Sequence, residues 1–372
     1  MSSAALSVLI PSYNRRRLLE RVLRAYESQD LEGVPFEVVV VDDGSKDDTL
    51  AFLASWKPRR YRLRFATQTN GGPGRARNRA IRLSTGQLVL FTGDDIVPTP
   101  ALLKEHWRAH QASPDRDTVI LGLSRWPADL KLTATMRHID GIGAQQFSYH
   151  YFKEGAEYDF RHFYTSNISL KRELLDQEPT YFSTRFSRAA FEDVELSYRL
   201  SLHGMRIVYR SAPQGHHYHH YDVRSFFRRQ VGCGAMAAIF YGKYPELRKW
   251  FELKELEWTR LRALLQTPAE RNERAAIASD LGLWEERVLR LAGYYDDLEA
   301  GPLDHLLLSL FRYAYLKGLA DAMYSPPEAG TLCANLYCKI VLPAVRTFEG
   351  EMNERRLPIP RADLEAMRRH AG

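Results

Sequence analysis

Three times within the first 95 residues a short apolar run ends directly in a polar cluster. Residues 7–10 run into Pro11-Ser12-Tyr13-Asn14, residues 36–41 into Asp42-Asp43-Gly44-Ser45, and residues 87–92 into Gly93-Asp94-Asp95. Each apolar run has the length and composition of a buried strand. The segments between them carry apolar residues at helical spacing, as in Leu18, Leu19, Val22, Leu23 and Tyr26 of residues 15–29. Residues 46–56 and 75–84 read as further helices and residues 61–67 as a strand. Strands alternating with helices predict an α/β sheet, Rossmann-like and mostly parallel, with flanking helices. In such sheets ligands bind beyond the carboxyl ends of the strands, so three clusters at those ends point to one shared site.

The pattern changes further on. Residues 118–123 read as a strand, residues 126–164 as an aromatic-rich stretch without a clean period, residues 192–203 as a helix and residues 206–210 as a strand. From Asp222, a plausible N-cap, the chain reads as almost wholly helical. We therefore expect an α/β domain over residues 1–225, with halves at 1–97 and 98–225, and a mainly helical domain over residues 226–372. A segment over residues 305–319 is amphipathic enough for a membrane surface or an oligomer contact, with core packing as the ordinary alternative. No apolar run approaches the roughly 18 residues needed to cross a bilayer. The N-terminal stretch reads as a first strand rather than a signal peptide. Three cysteines make no disulfide framework, which fits a cytoplasmic setting. A net charge of +6 favours anionic ligands. No nucleic-acid-binding motif accompanies it.

Taken singly, the clusters leave two readings each. Asp42 and Asp43 can accept hydrogen bonds from a base or ribose, or from the amides of their own turn. In residues 70–78, NGGPGRARN, the glycines allow close backbone approach and the helix start favours anions, yet neither dinucleotide nor P-loop spacing is present. Asp94 and Asp95 would repel each other unless a cation lies between them, and their oxygens suit Mg²⁺ or Mn²⁺; the alternative is a capping pair. Glu192 and Asp193 open a helix, where acidic residues are favoured by the dipole. Only one of the two can face a site. Residues 216–220, HHYHH, offer imidazoles without HExxH or a cysteine partner.

In order, SVLIPSYNRRRLL, FEVVVVDDGSKDDT, NGGPGRARNRAIRLSTGQLVLFTGDDIVP, TSNISLKRELL and FEDVELSYRLSLHG resemble the family 2 glycosyltransferases, enzymes with a GT-A fold, over residues 6 to about 232. The resemblance implies an inverting enzyme that moves a sugar from a nucleoside-diphosphate sugar to a hydroxyl of a glycan or lipid-linked glycan. A UDP-sugar is favoured, and a dTDP-sugar has the same hydrogen-bonding edge. It implies Pro11 and Tyr13 around the base and ribose, Asp43 on the base with Asp42 beside it, and Arg77 near the nucleotide. Asp94 and Asp95 match the metal-binding acidic motif, although Thr92 stands at its first acidic position. Asp193 matches the catalytic base, expected to be ionised already at neutral pH. His216 matches the metal-side histidine, with His219 as the alternative register. The resemblance makes residues 1–97 the nucleotide-sugar-binding half and 98–225 the acceptor-binding half; Asn167 and Glu192 are expected on the acceptor side, where Trp126 can stack on a sugar ring or simply pack.

Cell-surface polysaccharide synthesis and peripheral contact with the inner face of the cell membrane follow from the same resemblance. Two other classes stay open: a metal-dependent nucleotidyltransferase, and a non-catalytic glycan-binding or scaffold protein on a transferase fold.

Overall fold

Strands β1 (Leu6–Ser12), β2 (Phe36–Asp42) and β4 (Leu88–Thr92) are buried on both faces, which is why they read as unbroken apolar runs. In β1, Val8 and Ile10 pack with Leu19, Val22, Phe52 and Leu102 on one side. Leu9 packs on the other side with Ala76, Ala80, Leu196 and Leu200. Helices therefore cover both faces. The computed structural model describes residues 4–141, 145–247, 277–296 and 303–354. The chain divides into two units, one of Met1–Lys131 with Tyr149–His219, the other of Leu132–Ser148 with His220–Gly372. The first ends short of the boundary expected at residue 225, and Leu132–Ser148 groups with the helical part.

The remaining strands of the first unit are β3 (Arg62–Thr67), β5 (Ile96–Pro98), β6 (Thr118–Arg125), β7 (Glu157–Tyr158), β8 (Asn167–Lys171) and β9 (Arg206–His217). Their order is β3-β2-β1-β4-β8-β6-β9-β5, with β7 on β9. The first four strands are parallel, as expected, but β8 runs antiparallel between β4 and β6, so the sheet is mixed. β6 and β9 are parallel to each other and, across β8, share the direction of β4. The carboxyl ends of β1, β2, β4, β6 and β9 thus lie along one edge.

β8 does not read as a buried strand because two of its buried residues are polar. Asn167 and Ser169 are fully buried. They are satisfied by the helix Leu102–Ala112: His106 Nε2 meets Asn167 Oδ1 at 2.8 Å, His106 Nδ1 meets Ser169 Oγ at 2.8 Å, and His110 Nε2 meets Ser169 Oγ at 2.9 Å. Burial holds His106 down to about 4 and His110 to about 3. Both stay neutral in the native state while the unfolded chain takes up protons near 6.5, so stability falls as pH drops through that value. We expect each to cost about 2 kcal/mol between pH 7 and pH 5. Urea unfolding at the two pH values should find His110→Gln less pH-sensitive than the parent by about that amount; an unchanged difference would exclude the assignment.

The second unit is helical throughout its described residues, apart from turns. Asp222 caps Val223–Lys243 in a reciprocal capping box with Ser225. The Asp296 carboxylate accepts the amides of Thr135 at 2.7 Å and Val223 at 3.1 Å, tying Ala134–Asp140 to the start of that helix. This contact explains why the segment before Tyr149 belongs with the helices. In Leu303–Met323, Leu306, Leu307, Leu310 and Phe311 are buried, and of the leucines only Leu308 is exposed. The amphipathic stripe at residues 305–319 is accordingly core packing. No helix among the described residues is long and apolar enough to cross a membrane.

Candidate active site

Asp94 and Asp95 follow β4 and lie within a cluster built from three strand ends. Ser12 Oγ, at the end of β1, donates to Asp94 Oδ2 at 2.8 Å. Arg15, just before the helix Arg16–Tyr26, donates through Nη1 to Asp94 Oδ1 at 3.2 Å and to Asp95 Oδ2. From β9, His217 Nε2 stands 3.6 Å from Asp95 Oδ2, and His219 Nδ1 stands 3.2 Å from the same oxygen. Asp95, His217 and His219 each present a ligand atom within 4.8 Å of the others and could hold a metal ion. One carboxylate with two imidazoles is a mixed oxygen–nitrogen set that suits a divalent transition-metal ion, Mn²⁺ included, better than Mg²⁺, which keeps to oxygen. Burial first, and then Asp95, push Asp94 up to about 6. Burial acts in the same sense on Asp95, but His217, His219 and Arg15 outweigh it and hold that carboxyl well below the usual range.

The histidine register differs from the expected one. His216 pairs with Val97 and Arg125 in the ladder, and its side chain leaves the strand on the face opposite His217. His216 is therefore outside the cluster, His219 is in it, and His217 is an addition. Trp126, expected on the acceptor side, stacks on His217 with centroids 4.8 Å apart and planes 13° apart, so it braces a candidate ligand. Thr92, at the first acidic position, spends its hydroxyl on Ser166 O at 3.0 Å.

At the end of β2 the two aspartates are occupied by backbone amides and by the side chains of Thr67 and Gln68. Asp42 accepts from Ser45 N at 3.1 Å and Thr67 Oγ1 at 2.9 Å, a turn anchor rather than an open ligand. Asp43 accepts from Gln68 Nε2 at 2.7 Å, Gly71 N at 3.1 Å and Gly72 N at 2.8 Å. Two amides of the Gly-rich loop thus point at Asp43 and not at an incoming phosphate. Gly72 is required: its φ is +86° and a Cβ would sit 2.8 Å from Ser187 O. Near this loop Tyr13 is 42% exposed, and Pro11 is half-buried opposite Val41.

The close approach at Ser187 brings the start of the helix Glu192–Ser201 beside the loop. Arg77 is buried and ion-paired to Glu192 Oε1 at 2.7 Å, with its guanidinium over Phe182. Arg77 and Glu192, expected at the nucleotide and at the acceptor, are engaged with each other instead, because neither buried charge is tolerable alone. Phe191, directly before them, holds the left-handed conformation at φ 64°, a strained position typical of functional sites. Asp193 is the half-buried neighbour. Burial first, then Glu192, push it up to about 7, against the pull of Arg77. The sequence leads one to expect a carboxyl ionised well below neutrality, and the buried setting of Asp193 raises it instead. If Asp193 is the base, kcat/KM should fall below about pH 7 with a slope of one proton. A profile flat from pH 5 to 8 would exclude it.

Asn167, expected to line the acceptor side, is fully buried, with its amide donating to Leu123 O and Pro213 O and accepting from His106. It locks β8 to its neighbours and lines no open surface. Two members of the cluster were missed in the sequence, His217 and Arg15. The period of two along a strand groups His217 with His219 and separates both from His216, so that signal was present. For Arg15 no local signal exists.

Residues 7–187 match the family model described as glycosyl transferase family 2. Among curated proteins, poly(ribitol-phosphate) beta-N-acetylglucosaminyltransferase TarS of Staphylococcus aureus is 36% identical over 100 residues, 27% of this chain and 18% of that protein. Validoxylamine A glucosyltransferase of Streptomyces hygroscopicus subsp. limoneus is 37% identical over 119 residues, 32% of this chain and 26% of that protein. The matched stretch thus spans less than a third of the length of these relatives. Among solved structures, S. aureus TarS 1–349 in complex with UDP aligns with a TM-score of 0.48 and 20% identity, over 84% of this chain and 90% of that one. The segment from Ser7 to Ser187, which carries the strand ends of β1, β2 and β4, is a glycosyl transferase family 2 domain.

Proposed function

We propose that the chain transfers a glycosyl group from a nucleoside-diphosphate sugar to an acceptor hydroxyl, with inversion at the anomeric carbon. The observation that carries this reading is the division of labour along one sheet edge. A carboxylate–imidazole cluster at Asp95, His217 and His219 is suited to a cation, while a separate carboxyl, Asp193, titrates near neutrality. Such a separation suits a reaction in which negative charge develops on a leaving diphosphate while a proton leaves the attacking hydroxyl. The names of the two curated relatives given above, both transferases of sugar residues, support the same reaction class.

In this reading Asp193 accepts the acceptor's hydroxyl proton as the oxygen bonds to the anomeric carbon and the bond to the diphosphate breaks on the opposite side. Glu192 keeps Arg77 paired and leaves Asp193 as the carboxyl with basic capacity. A divalent cation, Mn²⁺ before Mg²⁺, would supply electrostatic stabilisation of the leaving diphosphate when held by Asp95, His217 and His219 with Asp94 beside them. Tyr13 offers an exposed ring on which a base can stack, and Pro11 lies at the same strand end. A carboxylate offers about four acceptor positions, and those of Asp43 are met by Gln68 Nε2, by Gly71 N on both oxygens and by Gly72 N, so a base N–H would bind there in exchange for one of these contacts. A uridine or thymidine diphosphate sugar fits that edge. The acceptor class we propose is a glycan or lipid-linked glycan of the cell surface, reached by peripheral contact with the membrane's inner face.

The test is product analysis with Mn²⁺ and a panel of UDP-, dTDP- and GDP-sugars. Release of one nucleoside diphosphate, lost in Asp95→Ala, is the expected result. Pyrophosphate release from nucleoside triphosphates, with no diphosphate from any sugar nucleotide, would turn the assignment to nucleotidyl transfer.

A further inference from the structure

Among the described residues the Arg15 guanidinium makes three hydrogen-bond contacts, to Asp94, Asp95 and His219, groups that a cation would need. Nη1 donates to Asp94 Oδ1 at 3.2 Å and to Asp95 Oδ2, and Nη2 lies 3.0 Å from His219 Nδ1. A guanidinium has only donors and does not lose its proton, so its contact with Nδ1 of His219 is a hydrogen bond in the tautomer that leaves that nitrogen unprotonated, the form a metal ligand also takes. The neighbouring Asp95 Oδ2, 3.2 Å from Nδ1, is likewise an acceptor. When Nδ1 carries the proton it donates to Oδ2; when it does not, the two atoms present lone pairs side by side. In that second form they converge on the same positive group, as two ligand atoms converge on a metal ion. The lone pairs available to a divalent cation at Asp95 and His219 are those that Arg15 now uses.

A divalent ion bound to Asp95 and His219 would stand within a few ångströms of the guanidinium, where like charges repel strongly in a partly buried setting. We propose that Arg15 is the internal counter-cation of this site, and that it and a divalent ion occupy the acid–imidazole cluster in alternation. The anionic diphosphate of a donor gives the displaced guanidinium a new acceptor, so metal and nucleotide bind with positive coupling through this residue. The inference rests on the reading of Asp95, His217 and His219 as a cation site.

Isothermal titration of Mn²⁺ into the full chain, with and without saturating UDP, tests it in the parent, Arg15→Ala and Arg15→Gln. Without UDP, Arg15→Ala should bind Mn²⁺ more tightly by between about 5-fold and 100-fold, and the further tightening by UDP should shrink by a similar factor. Should Arg15→Ala not fold, Arg15→Gln, which keeps length but no charge, is read by the same criterion. Equal or weaker Mn²⁺ affinity in a folded variant, against a measurable parent affinity, overturns the role of Arg15 alone. No Mn²⁺ binding by any of the proteins, with or without UDP, overturns the cation site and this proposal with it.

Discussion

Asp193→Asn is expected to lower glycosyl transfer by about 10²-fold to 10⁴-fold, the usual contribution of a general base, while nucleotide affinity stays within about twofold. The substitution keeps the volume of the side chain and the oxygen that accepts Val194 N at 2.9 Å, so the helix start is preserved. What it removes is the ability to hold a proton. The neighbouring change, Glu192→Gln, should behave differently. Glu192 is buried and paired with Arg77 at 2.7 Å, and removing its charge strands a buried guanidinium. Breaking such a pair costs about 3–5 kcal/mol, so Glu192→Gln should lose stability before chemistry. Initial rates of diphosphate release, beside urea unfolding of both variants, separate the two effects. Full turnover in Asp193→Asn with a stable but inactive Glu192→Gln would exchange the two roles.

Gly318→Ala is expected to be among the most destabilising single substitutions in the helical unit. A Cβ at Gly318 would lie 1.9 Å from Val231 O, and one at Gly234 would lie 1.9 Å from Tyr315 O. Helices Val223–Lys243 and Leu303–Met323 therefore cross with their backbones in contact, and the obstacles are carbonyl groups that cannot rotate aside. Overpacking of side chains costs about 1–3 kcal/mol, and a backbone clash belongs at the top of that range or above it. A loss of about 3 kcal/mol corresponds to a fall in Tm of roughly 10 °C. Gly242 lies on the first of these helices with nothing within 4 Å of its Cβ position, so Gly242→Ala should be neutral or stabilising by up to about 1 kcal/mol. Thermal unfolding of both variants decides the matter. A Gly318→Ala protein as stable as Gly242→Ala would mean that the helices do not cross there.

How far the sequence reveals this molecule depends on how local each determinant is. β1, β2 and β4 are visible because burial on both faces demands continuous apolar runs, and their polar endings mark the functional edge without further information. β8 is hidden because Asn167 and Ser169 look like loop residues until His106 and His110, about 60 positions away, arrive to satisfy them. The acidic pairs are visible as candidates, but their division of labour is not. Whether Asp42 and Asp43 face a ligand or a backbone depends on Gly71, Gly72 and Thr67. Whether Asp193 is ionised depends on its burial and on Glu192, against the pull of Arg77. The family resemblance supplies the reaction class and still leaves the histidine register at 216–220 to the geometry of β9.

The account stands or falls on a cation-dependent nucleotide site at the carboxyl edge of the sheet. Thermal unfolding of the chain with UDP, dTDP, GDP, CMP or ATP, each with Mn²⁺ or with EDTA and beside Asp95→Ala, measures it directly. At 100 times its dissociation constant a ligand adds about 2.7 kcal/mol, a readily visible shift. One nucleoside diphosphate, UDP or dTDP, should raise the midpoint with Mn²⁺ and lose that effect with EDTA or in Asp95→Ala. A shift that is equal in EDTA and in Asp95→Ala, or no shift with any nucleotide, would contradict the site described for Asp95, His217 and His219.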